Sequence, residues 1–68
     1  MDWQSTLARN IRQLRQDKGL TQEQLAVDSS IDLTYLGGIE RGRRNPSLLV
    51  MARIADALGV SLPKLLEK

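Results

Sequence analysis

The sequence predicts an all-α fold, a compact bundle of five short helices. Three observations predict it. Trp3, Leu7, Ile11 and Leu14 recur at the spacing of a single helix face. Residues that favour helix starts, Thr21, Asp32 and Ser61, alternate along the chain with glycines that favour helix ends, Gly19, Gly42 and Gly59. The connections between these segments are short, with no linker, internal repeat or low-complexity tract. A chain of 68 residues removes only about 60% of its unfolded surface from water on folding. One core must therefore supply nearly all the stability, and a single domain over residues 1–68 is expected.

The first helix is expected over about 3–18, with its polar side on Gln4, Arg9, Gln13, Gln16 and Asp17, and Gly19 as its stop. Thr21 opens the second. Gln24, three positions on, completes a capping box in which each side chain bonds the other residue's backbone N–H. This helix turns Leu25 and Ala26 inward and runs to about Asp28. Ser29-Ser30-Ile31 is long enough only for a tight turn. Asp32 caps the third helix, its charge favoured by the helix dipole; Leu36 and Ile39 face the core, and Gly42 ends the segment. Pro46 suits the first turn of a fourth helix capped by Asn45 or Ser47. There Leu49, Ala52, Ile54, Ala55 and Leu58 read as a broad, largely buried face. Ser61 caps a last helix, in which Pro63 is tolerated because a first-turn residue needs no N–H partner.

Composition excludes most chemistry. There is no Cys and no His, which removes disulfides, thiolate nucleophiles and the commonest general base and metal ligand. No enzyme activity, cofactor or metal is expected. No apolar run approaches the roughly 18 residues of a membrane span, and Met1-Asp2-Trp3-Gln4 does not open a secretory signal; a cytoplasmic location without membrane contact is expected. The net charge is only +2, but the pI is near 9.5 and the basic residues are grouped. Arg9, Arg12, Arg15 and Lys18 gather early, and Arg41, Arg43 and Arg44 crowd one loop.

Two short helices joined by a three- to four-residue turn make a helix-turn-helix, here with its core at about 21–42. Length alone is unspecific. The sharper signal is a set of separated motifs: Gly19-Leu20-Thr21-Gln22-Glu23-Gln24-Leu25-Ala26, Ile31-Asp32-Leu33-Thr34-Tyr35-Leu36, Ile39-Glu40-Arg41-Gly42-Arg43-Arg44-Asn45-Pro46-Ser47 and Ala57-Leu58-Gly59-Val60-Ser61. With these the chain resembles the Cro/cI (XRE-type) helix-turn-helix family over about residues 7–66. Its Asp-x-Thr-Tyr-x-x-Gly-Ile-Glu-Arg-Gly stretch is most similar to controller proteins of restriction–modification systems. The resemblance implies a lambda repressor-like domain that regulates transcription by binding duplex DNA.

It also implies roles for particular residues. Gln22, at the start of the second helix, matches a phosphate clamp, where the free N–H groups of a helix N-terminus suit an anion; a solvated first-turn glutamine is the alternative. Leu33, Thr34 and Gly38 match base-reading positions on the third helix. Leu33 cannot hydrogen-bond a base edge and would read a thymine methyl or merely pack, and Gly38 has no side chain at all. Gly37 and Gly38 together weaken a helix by roughly 1–2 kcal/mol. A close approach to a groove would explain them, and so would tight packing inside the protein. Tyr35 matches a duplex-facing position or pads the helix surface. Arg41, Arg43 and Arg44 match the stretch that runs along the sugar-phosphate backbone, giving affinity without sequence information. Arg15 and Glu40 match a salt bridge tying the first helix to the third. Ser30 stands where glycine is usual, at a turn position that tends to require positive φ.

One such module reads few base pairs. The family solution is a two-fold dimer on a pseudo-palindrome, its recognition helices about 34 Å apart. The fourth and fifth helices, with Val60, Leu62, Leu65 and Leu66, are the expected dimer surface; the alternative is that all of these close the monomer core. Duplex DNA, a second copy of the chain and RNA polymerase are the implied partners; no small-molecule ligand is expected. A protein-docking module such as an antitoxin is the competing reading.

Overall fold

The computed structural model describes residues 2–68. Five helices follow in order, α1 (Trp3–Asp17), α2 (Gln22–Ser29), α3 (Leu33–Glu40), α4 (Leu48–Leu58) and α5 (Leu62–Leu65), and the described residues form no strand.

The helix starts follow local chemistry. The Asp2 carboxylate accepts the Ser5 N–H at 2.8 Å and caps α1, a cap that the apolar spacing did not reveal. The expected capping box on α2 is complete, with the Gln24 N–H donating to Thr21 Oγ1 at 3.1 Å and the Thr21 N–H to Gln24 Oε1 at 2.8 Å. Asp32 accepts the N–H groups of Thr34 and Tyr35 at 2.9 and 3.3 Å. Ser47, of the two candidates, caps α4 by accepting the Val50 N–H at 3.1 Å. Pro46 is therefore not in the first turn of α4 but one residue ahead of its cap, where it is buried. Gly59 ends α4 at φ 72°, a left-handed conformation that costs glycine nothing.

Leu7, Ile11, Leu25, Leu36, Ile39, Ile54, Leu58 and Leu65 form the core. Around it α1 packs on α3 and α5, and α2 on α3 and α4. Two expectations for the last helices need correction. The inward face of α4 is Ile54, Ala55 and Leu58, with Val50 and Met51 partly covered. At 100° per residue this face leaves positions 49, 53 and 56 pointing outward and 52 at its edge, while Leu48 is exposed in the first turn of the helix. Leu49 is thus 60% exposed, Leu48 is 67% exposed and Ala52 is exposed. Leu65, expected at the dimer surface, is fully buried in the core. Asn10 holds this end of the chain against α1, its Nδ2 donating to the carbonyls of Leu65 at 2.8 Å and Glu67 at 2.7 Å.

Candidate nucleic-acid interface

Between α2 and α3 the chain turns through Ser30, at φ 59° and ψ 43°. This is the positive φ expected at a non-glycine residue, and the Ser30 and Ile31 N–H groups bond back to the carbonyls of Val27 and Ala26 at 3.1 and 3.0 Å. The turn presents the N-terminal end of α3 to solvent. Leu33 is 41% exposed and Thr34 is exposed beside it. Tyr35 is half-buried and leans on the core. It keeps part of its surface outward, so this end of the helix mixes a hydroxyl, a phenol and an apolar side chain.

Gly38 does not lie on that open face. It is buried, and what covers it is Arg44: a Cβ built on Gly38 would lie 2.5 Å from Arg44 Cγ, 3.5 Å from Nε and 3.6 Å from Cβ. Gly37 is covered in the same way by the tip of Arg41, whose Nη1 would lie 3.1 Å from an added Cβ. Of the two explanations open for the glycine pair, packing against the protein's own side chains is the one realised in the free chain. The loop that carries the arginines is held close to α3, because the Arg43 N–H donates to the Gly38 carbonyl at 2.9 Å. Arg41, Arg43 and Arg44 are all exposed over the remainder of their surface. The result is a run of guanidinium groups beside the C-terminal half of the outward helix.

The other face of α3 is anchored by Glu40, only 1% exposed. Its carboxylate accepts Arg15 Nε at 2.8 Å and Nη2 at 3.1 Å, the ion pair expected between these two residues. It also accepts Gln22 Nε2 at 3.0 Å. Arg15 spends Nη1 on the Leu20 carbonyl at 2.9 Å. Gln22, half-buried at the first residue of α2, is therefore tethered to α3 rather than extended into solvent. One of its amide hydrogens is engaged by Glu40, and its position at the helix N-terminus is fixed.

The early basic group has a structural use that its clustering did not disclose. Arg12 donates to the Glu40 backbone carbonyl at the end of α3, Arg15 holds Glu40, and Lys18 Nζ reaches the Leu58 carbonyl at the end of α4 at 3.4 Å. Cations at helix C-termini complement the exposed carbonyls there. These pairings join residues 25 to 40 positions apart in sequence, beyond any local pattern. The same holds for Gln4, whose side-chain amide donates to Asn45 Oδ1 and props the arginine loop against the start of α1.

An outward helix mounted on a capped helix and a left-handed turn, flanked by a loop of arginines, defines a helix-turn-helix DNA-binding domain. The chain belongs to the helix-turn-helix family HTH_3, whose model matches residues 11–65, and with it to the XRE-type regulators. It is similar to the control protein C.SmaI of Serratia marcescens, with 44% identity across 100% of this chain and 81% of that one. Among solved structures it is similar to the restriction–modification controller protein C.AhdI of Aeromonas hydrophila, with a TM-score of 0.89 and 42% identity over 91% of this chain and 94% of that one. The hypothetical transcription factor NHTF of Neisseria superposes with a TM-score of 0.94 and 41% identity over 97% of this chain and 76% of that one. As a member of this family the chain is a DNA-binding transcriptional regulator and not an enzyme. None of the helices among the described residues is long and apolar enough to cross a membrane.

Proposed function

We propose that residues 1–68 act as one sequence-specific DNA-binding module, working as a homodimer on a pseudo-palindromic operator that controls its own or a neighbouring gene. The observation that carries this reading is the juxtaposition of the exposed start of α3, with Leu33, Thr34 and Tyr35, and the Arg41-Gly42-Arg43-Arg44 loop folded against its other end. In this reading α3 enters the major groove. Thr34 and Tyr35 meet base edges or nearby phosphates, and Leu33 packs on a thymine methyl. Arg41, Arg43 and Arg44 neutralise the phosphate backbone, and Gln22, positioned by Glu40, offers its remaining amide hydrogen to a phosphate at the α2 N-terminus. With so few polar groups on the reading face, DNA shape and half-site spacing carry much of the specificity.

The dimer surface is the outward stripe of α4, Leu48, Leu49 and Ala52, together with Leu66 and the open edges of Val60 and Leu62, which otherwise pack on the core; Leu65 lies within the core and takes no part. Exposed leucines this close together on so small a chain mark a partner-binding face, and a second copy gives the two-fold symmetry of a palindromic site. At the promoter the bound dimer would meet RNA polymerase. A cytoplasmic location follows from that role.

The test is a gel shift on a duplex spanning the region directly upstream of its own gene, across a salt series. Binding is expected to weaken with salt, and Arg43→Ala with Arg44→Ala to reduce the slope of log K against log salt by about 4 for the dimer, two contacts in each protomer. Failure to bind any duplex at low salt would favour the protein-docking reading instead.

A further inference from the structure

We propose that Gly38 is a positioning residue for DNA binding: its missing side chain is the seat on which Arg44 lies, and that seat aims the Arg44 guanidinium at the duplex. The proposal rests on the DNA-binding reading above, and it gives Gly38 a role other than touching a base.

The reasoning begins with a cost. Glycine in a helix interior weakens the helix relative to alanine, and α3 is only 8 residues long. Backbone freedom does not account for this glycine, because the glycines with positive φ are Gly19, Gly42 and Gly59. Space accounts for it. An added Cβ would sit 2.5 Å from Arg44 Cγ, well inside van der Waals contact. Cγ lies near the root of the side chain, so relief requires the whole arginine to lift away. The further approaches to Nε at 3.5 Å and Cβ at 3.6 Å show that the stem of the arginine, and not only its tip, lies over this position.

Gly37 supplies the internal contrast. Its nearest neighbours are Arg41 Nη1 at 3.1 Å and Cζ at 3.9 Å, the free end of a flexible side chain that swings aside without disturbing its stem. Arg44 is also anchored from behind, since the preceding residue, Arg43, donates its N–H to the Gly38 carbonyl at 2.9 Å. One residue therefore holds both the loop backbone and the side chain that follows. An arginine already laid in one direction loses less rotamer freedom when it meets a phosphate or a base, and its guanidinium arrives at a defined place beside the reading face.

A double-variant cycle tests this on the duplex upstream of the gene, with a second readout on the protein alone. In the parent background Gly38→Ala is expected to weaken binding on the order of tenfold; in the Arg44→Ala background the same change is expected to do almost nothing. Gly37→Ala, which meets only the free tip of Arg41, is expected to weaken binding much less than Gly38→Ala. In the free protein, ¹⁵N relaxation of the Arg44 Nε–H is expected to report an ordered side chain that becomes mobile in Gly38→Ala and stays ordered in Gly37→Ala. Equal losses in both backgrounds would overturn the proposal in favour of a direct clash between the new methyl group and DNA. An undiminished affinity in Gly38→Ala would overturn it as well. A parent protein that binds no duplex would defeat the DNA-binding reading itself; the relaxation measurement still decides the seat, and an Arg44 equally mobile in parent and variant would refute it.

Discussion

Arg15 and Glu40 join α1 to α3 through a forked ion pair, Nε to Oε2 at 2.8 Å and Nη2 to Oε1 at 3.1 Å, with the carboxylate side chain 1% exposed and the guanidinium 13%. A glutamate at the C-terminal end of a helix faces the unfavourable end of the dipole, and burying its charge costs several kcal/mol unless it is fully paired. Here the pairing is complete enough to offset both. Arg15 supplies two hydrogen bonds and Gln22 a third, while Arg12 donates to the backbone carbonyl of the same residue. The pair also fixes the angle between the reading helix and the rest of the bundle, which links stability to function at a single carboxylate.

Removing one partner should therefore be severe. Arg15→Ala is expected to cost about 3–5 kcal/mol, a large share of the stability of so small a domain, read as a fall in urea midpoint or melting temperature. The double reversal Arg15→Glu with Glu40→Arg is expected to fold better than either single reversal but to remain below the parent. It restores the charge pair, yet leaves the Leu20 carbonyl without its donor and sets Gln22 Nε2 against a cation. A double reversal no more stable than the single changes would show that the pair is not the dominant interaction there.

The turn before α3 offers a gain rather than a loss. Ser30 sits at φ 59°, where a side chain costs about 1–2 kcal/mol and glycine nothing. Glycine also adds roughly 0.4–1 kcal/mol of unfolded-chain entropy. Ser30→Gly is thus expected to raise stability by up to about 1.5 kcal/mol, each kcal/mol being worth about 4–8 °C in a domain of this size, with DNA sequence preference unchanged. A lower melting temperature would contradict this account of the turn. Neighbouring Ser29 tests the burial term separately: its hydroxyl is buried without a hydrogen-bond partner, so Ser29→Ala is expected to be neutral or to stabilise by about 1 kcal/mol.

What the sequence made legible is what is decided within a few residues. The Thr21–Gln24 box, the Asp32 cap, the stop at Gly59 and the order of the five helices all rest on contacts between near neighbours. The family pattern added two features that local spacing does not determine, the Arg15–Glu40 pair and the strained turn at Ser30. The facing of α4 is not legible in its N-terminal half, which is apolar on every side: Leu48, Leu49, Val50 and Met51 follow one another, and only tertiary packing selects the last two. The burial of Gly38 is not legible either, because a residue without a side chain gives no sign of what covers it. Arg44, six positions on, folds back to do so.

Acid should weaken the start of α1. Asp2 has its carboxyl held below the usual aspartate range, chiefly by the Ser5 backbone N–H and secondarily by the Ser5 side chain. A depressed folded-state value means that the cap contributes fully above the unfolded value, and that its contribution is lost as pH falls through the lower, folded one. Asp2→Ala is therefore expected to lower the melting temperature at neutral pH, with the difference from the parent shrinking once both carboxyl forms are protonated in strong acid. A difference that stays constant across the titration would assign the cap's effect to something other than the charged carboxylate.

The two adjacent leucines at the C-terminus separate folding from assembly, and α4 sharpens the contrast. Leu65 is fully buried among core side chains, so Leu65→Ala removes packed volume and is expected to cost about 2–5 kcal/mol. Leu49 is 60% exposed, so a charge placed there leaves the isolated fold intact, whereas Leu66, 39% exposed, is covered over most of its surface. If the stripe on α4 and α5 joins two copies, Leu49→Asp brings two like charges into an apolar contact across the symmetry axis. The expected result in sedimentation is a monomer at concentrations where the parent is a dimer, with an unchanged circular dichroism spectrum. Operator affinity should fall with it, because each half-site then binds a separate module and the gain from linking the two sites disappears. A parent protein that is already monomeric at high micromolar concentration would remove α4 and α5 as a dimer surface, and a Leu49→Asp variant that still dimerises would place the contact elsewhere on the molecule.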